Sequence, residues 1–506
     1  MFSSVISSGI RGIDCFTVMV EADISDGMPM FDLVGYLSGE VREARERVRT
    51  AMKNAGYDFP VKRITVNLSP GNIRKQGTGY DLPMAVSILA AMGHIKNDVL
   101  KDALIVGELM LNGNVGGIDG VLPMVIKARE IGLKKCIVPR DNEAEARLVD
   151  GIEVIGVDSI LMLIRYLTDG VIDSDNSDIN DNIKLCEPCK REPDLKYVKG
   201  QLMARRGLEI AAAGMHNLLM VGAPGAGKSM LAKCIPTILP PLSPEESLEV
   251  SAVYSVAGLL KGSKSLVTKR PFVAPHHTVT DVAMTGGGFY PRPGNISLAH
   301  RGVLFLDEMA EFSRYTLEVL RQPLEDRKIT ITRNCGMYEY PSDFMLVGAM
   351  NPCPCGAYPD LRKCTCSETS RKRYMGKLSK PLLDRMDICI EVEKTDYNML
   401  LSKEYAESSK AVRERVEKAQ NLQKNRFIND GILFNSQMNS EEIEKYCSLS
   451  DDINEWFMKA LVKLDVSARS YHKILRVART IADLDYSANI EIKHLGEAIK
   501  LNNSVI

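Results

Sequence analysis

The sequence predicts an α/β protein with a glycine-rich loop at its centre and a group of helices at its carboxyl end. Residues 222 to 229 read GAPGAGKS, and residues 303 to 308 read VLFLDE. The apolar run 217–221 precedes the first motif and a helical pattern over 230–235 follows it, which is the strand, loop and helix order that a phosphate-binding loop requires. These observations predict a wound parallel sheet in the middle of the chain.

The two motifs together predict a site for a nucleoside triphosphate and its metal ion. Glycines let the backbone approach phosphate oxygens closely, while Lys228 reaches the terminal phosphates. At the end of the second motif, Asp307 is expected to hold the Mg²⁺ shell and Glu308 to polarise the attacking water. The residues predicted to bind ATP are Gly222, Ala223, Pro224, Gly225, Ala226, Gly227, Lys228, Ser229 and Met230, and those predicted to hold Mg²⁺ with it are Ser229 and Asp307.

Length and composition indicate a protein of several domains. The 506 residues suggest about three folding units, each large enough to bury a core. We expect a first domain over 1–168, an acidic linker over 169–195, a central core over 196–395 and helices over 396–506. The net charge is −1, so any surface that binds nucleic acid must be local.

The first residues, MFSSVISSGIRGIDCF, lack the charged and apolar segments of an export signal, and no window offers about eighteen uncharged apolar residues. We therefore expect a cytoplasmic protein that does not insert into a membrane. The twelve cysteines then indicate thiols rather than a disulfide framework.

Local patterns predict individual elements on both sides of the motifs. TVMVEA, ITVNLS and residues 344–350 are typical of strands, and residues 40–55 and 82–91 are typical of amphipathic helices. Near the carboxyl end, Ser440 is expected to cap a helix and residues 491–501 to form the last one. Between them a helix is predicted to bury the stripe Ile474, Leu475, Ala478 and Ile481.

Four cysteines stand close together directly after the strand 344–350. Four thiolates match a closed tetrahedral zinc site, although the CxC spacing is less specific than CxxC. The alternative is a group of reduced, unpaired thiols. The candidate zinc ligands are Cys353, Cys355, Cys364 and Cys366.

Some seventy residues separate Ser229 from Gly302, more than a simple crossover needs, and they indicate an insertion. Its charges and glycines suit contact with a phosphate backbone, while a solvated loop with two ordinary histidines is the alternative. The residues concerned are Lys261, Lys264, Lys269, Arg270, His276, His277 and the run 286–288. A second candidate for such contact is the hairpin that begins KITITR, with Arg333 near its tip.

Several long blocks of the chain resemble one protein family in order and content. They include RERVRTAMKNAG, KRITVNLSPGNIRKQGTGYDLPMA, APHHTVTDVAMTGGG, PGNISLAHRGVLFLDEMAEF, LRQPLED, AMNPCPCG and LSKPLLDRMDI. On these blocks the chain resembles the Mg-chelatase-like AAA+ ATPases of the YifB and ComM type over nearly its whole length. The resemblance implies an AAA+ core with a helical lid, and insertions that project towards a central pore.

The resemblance also assigns further catalytic residues. Asn351 matches the sensor-1 residue, with a strand-end cap as the alternative. Arg385 matches an arginine that enters the neighbouring subunit's site, with a surface ion pair as the alternative. Arg469 matches the sensor-2 position, although the local register also allows Arg476. These roles imply a nucleotide-dependent ring, expected to be a hexamer.

The first domain resembles another known domain in part. Residues 103–140 are similar to the Lon peptidase domain, which implies a fold of the ribosomal protein S5 domain 2 type and a serine and lysine pair. The corresponding regions here read GTGYDLPMA and DGVLPMVIK, with Leu122 or Pro123 where the lysine belongs, so peptidase activity is not expected. Asn295 stands where the family has an acidic residue, and no role is assigned to it.

The implied activity is ATP hydrolysis coupled to movement on single-stranded or branched DNA, as in branch migration during natural transformation. One alternative is a chelatase-type ATPase that remodels a protein partner. A third reading, an ATP-dependent protease, is disfavoured because the serine and lysine pair is absent.

Overall fold

The structure is a computed structural model that describes residues 1–170, 193–260, 266–333, 336–394, 405–464 and 468–503. The side chains of 468, 469 and 503 lie outside the described set. The predicted linker 169–195 falls mostly outside these ranges, so the division of the chain there stays a prediction. Among the described residues, no helix combines the length and apolar character needed to cross a bilayer.

The amino-terminal unit is built on a mixed seven-stranded sheet with the order β3-β4-β2-β1-β5-β8-β9. β1, β2 and β4 pair antiparallel, and the remaining pairs in the sheet are parallel. Its strands and the small β6–β7 ribbon are β1 (Phe2–Arg11), β2 (Asp14–Ser25), β3 (Met30–Val34), β4 (Arg63–Ser69), β5 (Ala103–Ile105), β6 (Glu108–Leu109), β7 (Val115–Gly116), β8 (Lys135–Pro139) and β9 (Glu153–Val157).

Five helices accompany this sheet: α1 (Gly39–Asn54), α2 (Asp81–Ala91), α3 (Val121–Glu130), α4 (Arg140–Ala146) and α5 (Ile160–Asp169). The predicted strands TVMVEA and ITVNLS are confirmed within β2 and β4. The prediction that both 40–55 and 82–91 are amphipathic is half wrong. α1 buries one stripe, whereas every residue of α2 is buried, because a helix that is apolar on all sides packs inside the core.

The central unit is a five-stranded sheet with the order β11-β14-β17-β10-β18, in which every pair is parallel. The predicted wound parallel sheet is therefore confirmed. The strands of this sheet are β10 (Leu218–Gly222), β11 (Phe272–Val273), β14 (Val303–Leu306), β17 (Met345–Met350) and β18 (Ile388–Val392), and two ribbons add β12 (Gly286–Gly287), β13 (Arg292–Pro293), β15 (Lys328–Arg333) and β16 (Gly336–Pro341).

Helices surround this sheet and lie in its connections. They are α6 (Leu202–Gly214), α7 (Lys228–Ile238), α8 (Pro244–Val256), α9 (Asp281–Thr285), α10 (Asn295–Leu298), α11 (Arg314–Glu318), α12 (Arg321–Asp326), α13 (Glu368–Met375) and α14 (Lys380–Leu383). α8 packs against α3 of the amino-terminal unit. The Ser255 carbonyl oxygen accepts from the Gly120 amide over 3.0 Å, and the Ser255 hydroxyl donates to Glu145 Oε2 over 2.9 Å. The two units therefore share a packed interface.

The carboxyl-terminal helices share one apolar core with the five-stranded sheet. They are α15 (Ser409–Arg426), α16 (Ser440–Tyr446), α17 (Asp451–Lys463), α18 (Ala468–Leu484) and α19 (Ile492–Asn503). The predicted buried stripe on α18 is confirmed. The prediction that Ser440 caps a helix is wrong by one residue, because the cap is Asn439 and Ser440 is the first helical residue. Asn439 Oδ1 accepts from the amides of Glu441 and Glu442, and the Glu442 carboxylate accepts from the Asn439 amide.

Candidate functional site

The glycine-rich loop joins the end of β10 to the start of α7, as the motif predicts. Gly225 and Gly227 have φ of 75° and 93°, in the left-handed region that favours glycine. A Cβ added to either residue would meet no atom within 4 Å, so the loop leaves open space where a phosphate would lie. Backbone amides at the start of α7 face that space with the positive end of the helix dipole.

Lys228 lies at the base of this loop and is 9% exposed. Its Nζ donates to the carbonyl oxygens of Gly222 and Ala223 over 2.6 and 3.0 Å and to Asn351 Oδ1 over 3.1 Å. Burial lowers the pKa of the Lys228 ammonium, and the carboxylates of Asp307 and Glu308 oppose that shift. The ammonium is thus held among weak acceptors, where phosphate oxygens would be stronger partners.

The acidic pair stands at the end of β14, beside α7. Ser229 Oγ donates to Asp307 Oδ2 over 2.7 Å, and Asp307 Oδ1 accepts from the Glu308 amide over 3.0 Å. The Glu308 side chain is 62% exposed. Its φ of 50° lies in the left-handed region, which is uncommon for a residue with a side chain. The hydroxyl and the two carboxylates thus suit Mg²⁺ and an attacking water, as the sequence predicts.

A histidine from the insertion also reaches this site. His277 Nδ1 lies 3.9 Å from Glu308 Oε2, and the rings of His276 and His277 stand 4.0 Å apart. From the sequence, both histidines are expected in the insertion and neither is expected at the nucleotide site. Only the fold of 272–285 brings His277 to Glu308, and no local motif signals it.

Asn351 follows β17 directly and its side chain turns towards Lys228. β17 lies between β10 and β14, so its end meets both halves of the phosphate site. This position suits the sensor-1 role, which stays a prediction.

Arg385 lies outside this cluster. Its Nη1 donates to the Pro381 carbonyl over 2.6 Å and its Nη2 contacts the Glu325 carboxylate. It lines a cavity of about 390 Å³ to which no residue of the 222–230 loop contributes. The other charged residues that line this cavity include Arg327, Asp343, Lys473 and Arg476.

Arg476 therefore shares a cavity with Arg385 rather than with the loop of its own chain. Its Nε is buried and has no hydrogen-bond partner among the described residues. Arg469 begins α18, but its side chain lies outside the described residues, so its sensor-2 role stays a prediction. Arg476 is the alternative that the local sequence register allows.

The four candidate zinc ligands come together as predicted. All four Sγ atoms lie within 4.8 Å of one another, and the pairs 353–355, 353–364 and 355–364 are 3.4, 3.8 and 3.7 Å apart. A tetrahedral site with Zn–S bonds of about 2.3 Å places its sulfurs about 3.8 Å apart. Hydrogen bonds, first that from the Ala357 amide, lower the pKa of Cys355 to about 6. The thiol cluster fits zinc.

The insertion differs in part from its predicted role in holding a phosphate backbone. Arg270 is 6% exposed and donates to Pro240 O over 2.8 Å, Arg301 O over 2.7 Å and Glu246 Oε2 over 3.0 Å. It is a buried structural residue, so including it among the nucleic-acid contacts was wrong. Lys261 and Lys264 lie outside the described residues.

The glycine run and the hairpin, two separate predictions, are neighbours in the structure. Gly286, Gly287 and Gly288 all have φ between 94° and 155°. Arg333 Nη2 would lie 3.4 Å from a Cβ at Gly287. Arg333, the last residue of β15, therefore rests against the glycine run.

The amino-terminal unit holds a cavity of about 380 Å³ that residues of the GTGYDLPMA and DGVLPMVIK segments help to line. Thr78, Gly79 and Met124 line this cavity together with Ser8 of β1. Among the described residues, no lysine lines the cavity. The absence of peptidase activity stays a prediction. Tyr290, Arg292 and Tyr338 of the central unit cover it.

Comparison with known proteins agrees with this architecture. Family models of the magnesium chelatase subunit ChlI match residues 20–142 and 194–400, and a model of the carboxyl-terminal part of that subunit matches 406–502. The chain is 40% identical to uncharacterized protein YifB of Escherichia coli over 98% of its length and 96% of that protein.

It is also 40% identical to competence protein ComM of Haemophilus influenzae, over 98% of its length and 96% of that protein. Lon protease 2 of Bacillus subtilis is 36% identical over 121 residues, which are 24% of this chain and 20% of that protein. With identity of this level along nearly the whole length, the chain belongs to the YifB/ComM-type family of Mg chelatase-like AAA+ proteins.

Proposed function

We propose that this protein is an ATP-hydrolysing ring motor that acts on DNA and drives branch migration as a helicase. The observation that carries the proposal is the separation of two half-sites on one chain. Lys228, Ser229 and Asp307 converge at one end of the sheet, whereas Arg385 lines a cavity without any residue of the 222–230 loop.

The first half-site would bind ATP and begin its hydrolysis. Loop amides and Lys228 would hold the phosphates, and Asn351 and Glu308 would orient and polarise the attacking water. Mg²⁺, held by Ser229 and Asp307, would offset charge on the phosphate oxygens.

The second half-site would serve a neighbouring subunit. A guanidinium can stabilise the negative charge that spreads over the phosphoryl group during its transfer. Arg385 would offer its guanidinium to the neighbouring subunit from the cavity that it lines. Arg476, whose Nε has no partner among the described residues, would assist from the same cavity. Because each site would then need two chains, we propose a closed ring, a hexamer formed with nucleotide.

The DNA client rests on the relatives and on the neighbouring loops. The Haemophilus influenzae relative is a competence protein, ComM, and we extend to the present chain the action on DNA that this resemblance implies. The contact of Arg333 with the glycine run supports one strand-gripping surface near the ring's pore. The four thiols would hold one Zn²⁺ beside Asn351.

ATPase turnover measured with and without forked and four-way DNA tests the proposal. DNA is expected to stimulate turnover, and Lys228→Ala to abolish both turnover and unwinding. The matched control is Lys233→Ala, an exposed lysine of the same helix, which should retain both activities. A wild-type ATPase that ignores every DNA substrate would refute the DNA client and favour the second candidate, an ATPase that remodels a protein partner, as the matches to ChlI suggest.

A further inference from the structure

One arginine of the amino-terminal unit lies over two aromatic rings. The guanidinium carbon of Arg74 lies 5.8 Å from the ring centre of Tyr36 and 5.9 Å from that of Phe289. Its Nε has no hydrogen-bond partner among the described residues. That Nε is buried, but the terminal nitrogens of Arg74 also donate to no described residue, and a guanidinium carries five donors, so a ligand with acceptor oxygens would find free donors at its outer end.

The two rings are themselves exposed. Tyr36 is 47% exposed and Phe289 is 73% exposed, although large aromatic side chains are usually covered. They belong to different units, since Tyr36 follows β3 and Phe289 lies between β12 and β13. Arg74 thus joins two flat surfaces that remain open to solvent.

A second arginine of the amino-terminal unit lies beside the hairpin tip. Arg11 Nε donates to the Met337 carbonyl over 2.8 Å, and its guanidinium lies against Gly336, where an added Cβ would be 2.9 Å from Nη2. Arg11, Tyr36 and Arg74 line one cavity of about 300 Å³ with Asn72, Gln76 and Tyr338. Arg333 pairs with Gly336 across the β15–β16 hairpin, and its Nη2 lies next to Gly287.

This surface has an uncompensated positive charge. Within the described ranges, no carboxylate oxygen lies within 4.0 Å of Arg11, Arg74 or Arg333. Three acidic groups of this region have partners of their own, since Asp119 pairs with Arg292 over 3.2 Å, Glu339 pairs with Lys328 over 3.1 Å and Glu40 accepts from the Gly77 amide over 3.1 Å. Asp14 stands opposite Arg11 in the β1–β2 pair but forms no ion pair with it. An anion is therefore the complementary ligand.

We propose that Arg11, Tyr36, Arg74, Phe289 and Arg333 form a binding surface for single-stranded DNA, here called the arginine–aromatic face. Bases stack on Tyr36 and Phe289, while the three guanidinium groups bind phosphates. Stacking on an aromatic ring needs an unpaired base, so the face favours single strands over duplex. The proposal rests on the proposed DNA client and assigns a role in it to the amino-terminal unit.

Anisotropy titrations of labelled oligo(dT) with the full-length protein test this assignment. Tyr36→Ala and Phe289→Ala are each expected to weaken binding roughly 5- to 150-fold, because one stacked base contributes about 1–3 kcal/mol. Their salt dependence should match that of the wild type. Arg74→Ala should weaken binding and also reduce the slope of log K against log[salt] by about 0.7, the value of one phosphate contact on a single strand.

The matched control is Arg49→Ala. Arg49 lies over the Phe59 ring at 5.9 Å on the same unit, so it makes the same kind of contact away from the face. This variant should bind oligo(dT) as the wild type does. Equal affinities for all four variants would overturn the face, as would wild-type binding to duplex that equals binding to oligo(dT).

Photo-crosslinking does not depend on a variant that folds. Oligo(dT) that contains 5-iodouracil should crosslink to peptides with Tyr36 or Phe289, and crosslinks confined to other peptides would overturn the assignment. The two proposals fail in different ways. A wild-type protein that neither binds DNA nor responds to it refutes the DNA client, whereas a responsive protein with unaffected variants refutes the face alone.

Discussion

Ser229 Oγ donates a hydrogen bond to Asp307 Oδ2 over 2.7 Å and so joins the first turn of α7 to the end of β14. The two residues are 78 positions apart in the chain. In P-loop enzymes the two protein groups that bind Mg²⁺ are a hydroxyl from the loop and a carboxylate from a neighbouring strand. The bond therefore shows that the fold brings both predicted metal ligands to one point.

Removal of the hydroxyl should weaken Mg²⁺ binding. In Ser229→Ala we expect the Mg²⁺ concentration for half-maximal ATPase activity to rise roughly tenfold or more, because one of two protein groups is lost. A Mg²⁺ titration of turnover measures this. Ser229→Thr keeps the hydroxyl and should behave as the wild type; identical titrations for the alanine and threonine variants would contradict the assignment.

The thiol cluster should contain metal. Elemental analysis of the purified protein is expected to find about one zinc per chain, since four thiolates complete a tetrahedral site. Cys353→Ser should lose most of that zinc. Cys15→Ser, which changes a thiol outside the cluster, should retain it. If the wild-type protein contained no zinc, or if Cys353→Ser kept its full zinc content, the zinc site would be contradicted. The alternative of reduced, unpaired thiols would then be favoured.

Several features that depend on local sequence agree with the structure, although the cap at Ser440 and the amphipathic pattern of α2 do not. One short loop determines the relative positions of Gly225, Gly227 and Lys228. The apolar segments before this loop and before Asp307 correctly predict two strands of the central sheet. The cysteines are likewise close in sequence, so their clustering needs only a turn at Gly356, whose φ is 75°.

Contacts between distant segments could not be predicted in this way. Charge alone placed Arg270 among nucleic-acid contacts, but its partners, which lie in the loop before α8, in α8 and just before β14, bury it. His277 reaches Glu308, and Arg476 shares a cavity with Arg385, only through tertiary packing. The arginine–aromatic face combines two units and has no motif in either.

The buried Arg270 should be important for stability. Its side chain and that of Glu246 are 2% and 8% exposed, so Arg270→Ala leaves a buried carboxylate without its cation. We expect a loss of about 3–5 kcal/mol in the free energy of unfolding, measured by urea denaturation. Arg314→Ala, at an exposed arginine, should change it by less than about 0.5 kcal/mol. Equal effects of the two substitutions would contradict the buried role.

Stability should depend on pH through Glu249. Hydrogen bonding to His300, together with the charge of Arg301, lowers the pKa of Glu249 to about 2 from its ordinary 4.5. A lowered carboxyl pKa stabilises the fold above the ordinary value, and this contribution disappears as pH falls from about 4.5 towards 2. The difference in Tm between wild type and Glu249→Gln should therefore shrink as pH falls from about 5 to about 3. A constant difference over that range would contradict the ion pair.

Mixing two inactive variants tests the shared ATP site most directly. Lys228→Ala lacks the phosphate-binding lysine and Arg385→Ala lacks the arginine offered to a neighbour, so each alone should hydrolyse little ATP. In a ring assembled from equal amounts, about a quarter of the interfaces combine an intact loop with an intact arginine. We predict that the mixture recovers up to about a quarter of wild-type turnover. A mixture no more active than either variant alone, under conditions where wild-type subunits exchange into the same rings, would contradict a site shared between subunits.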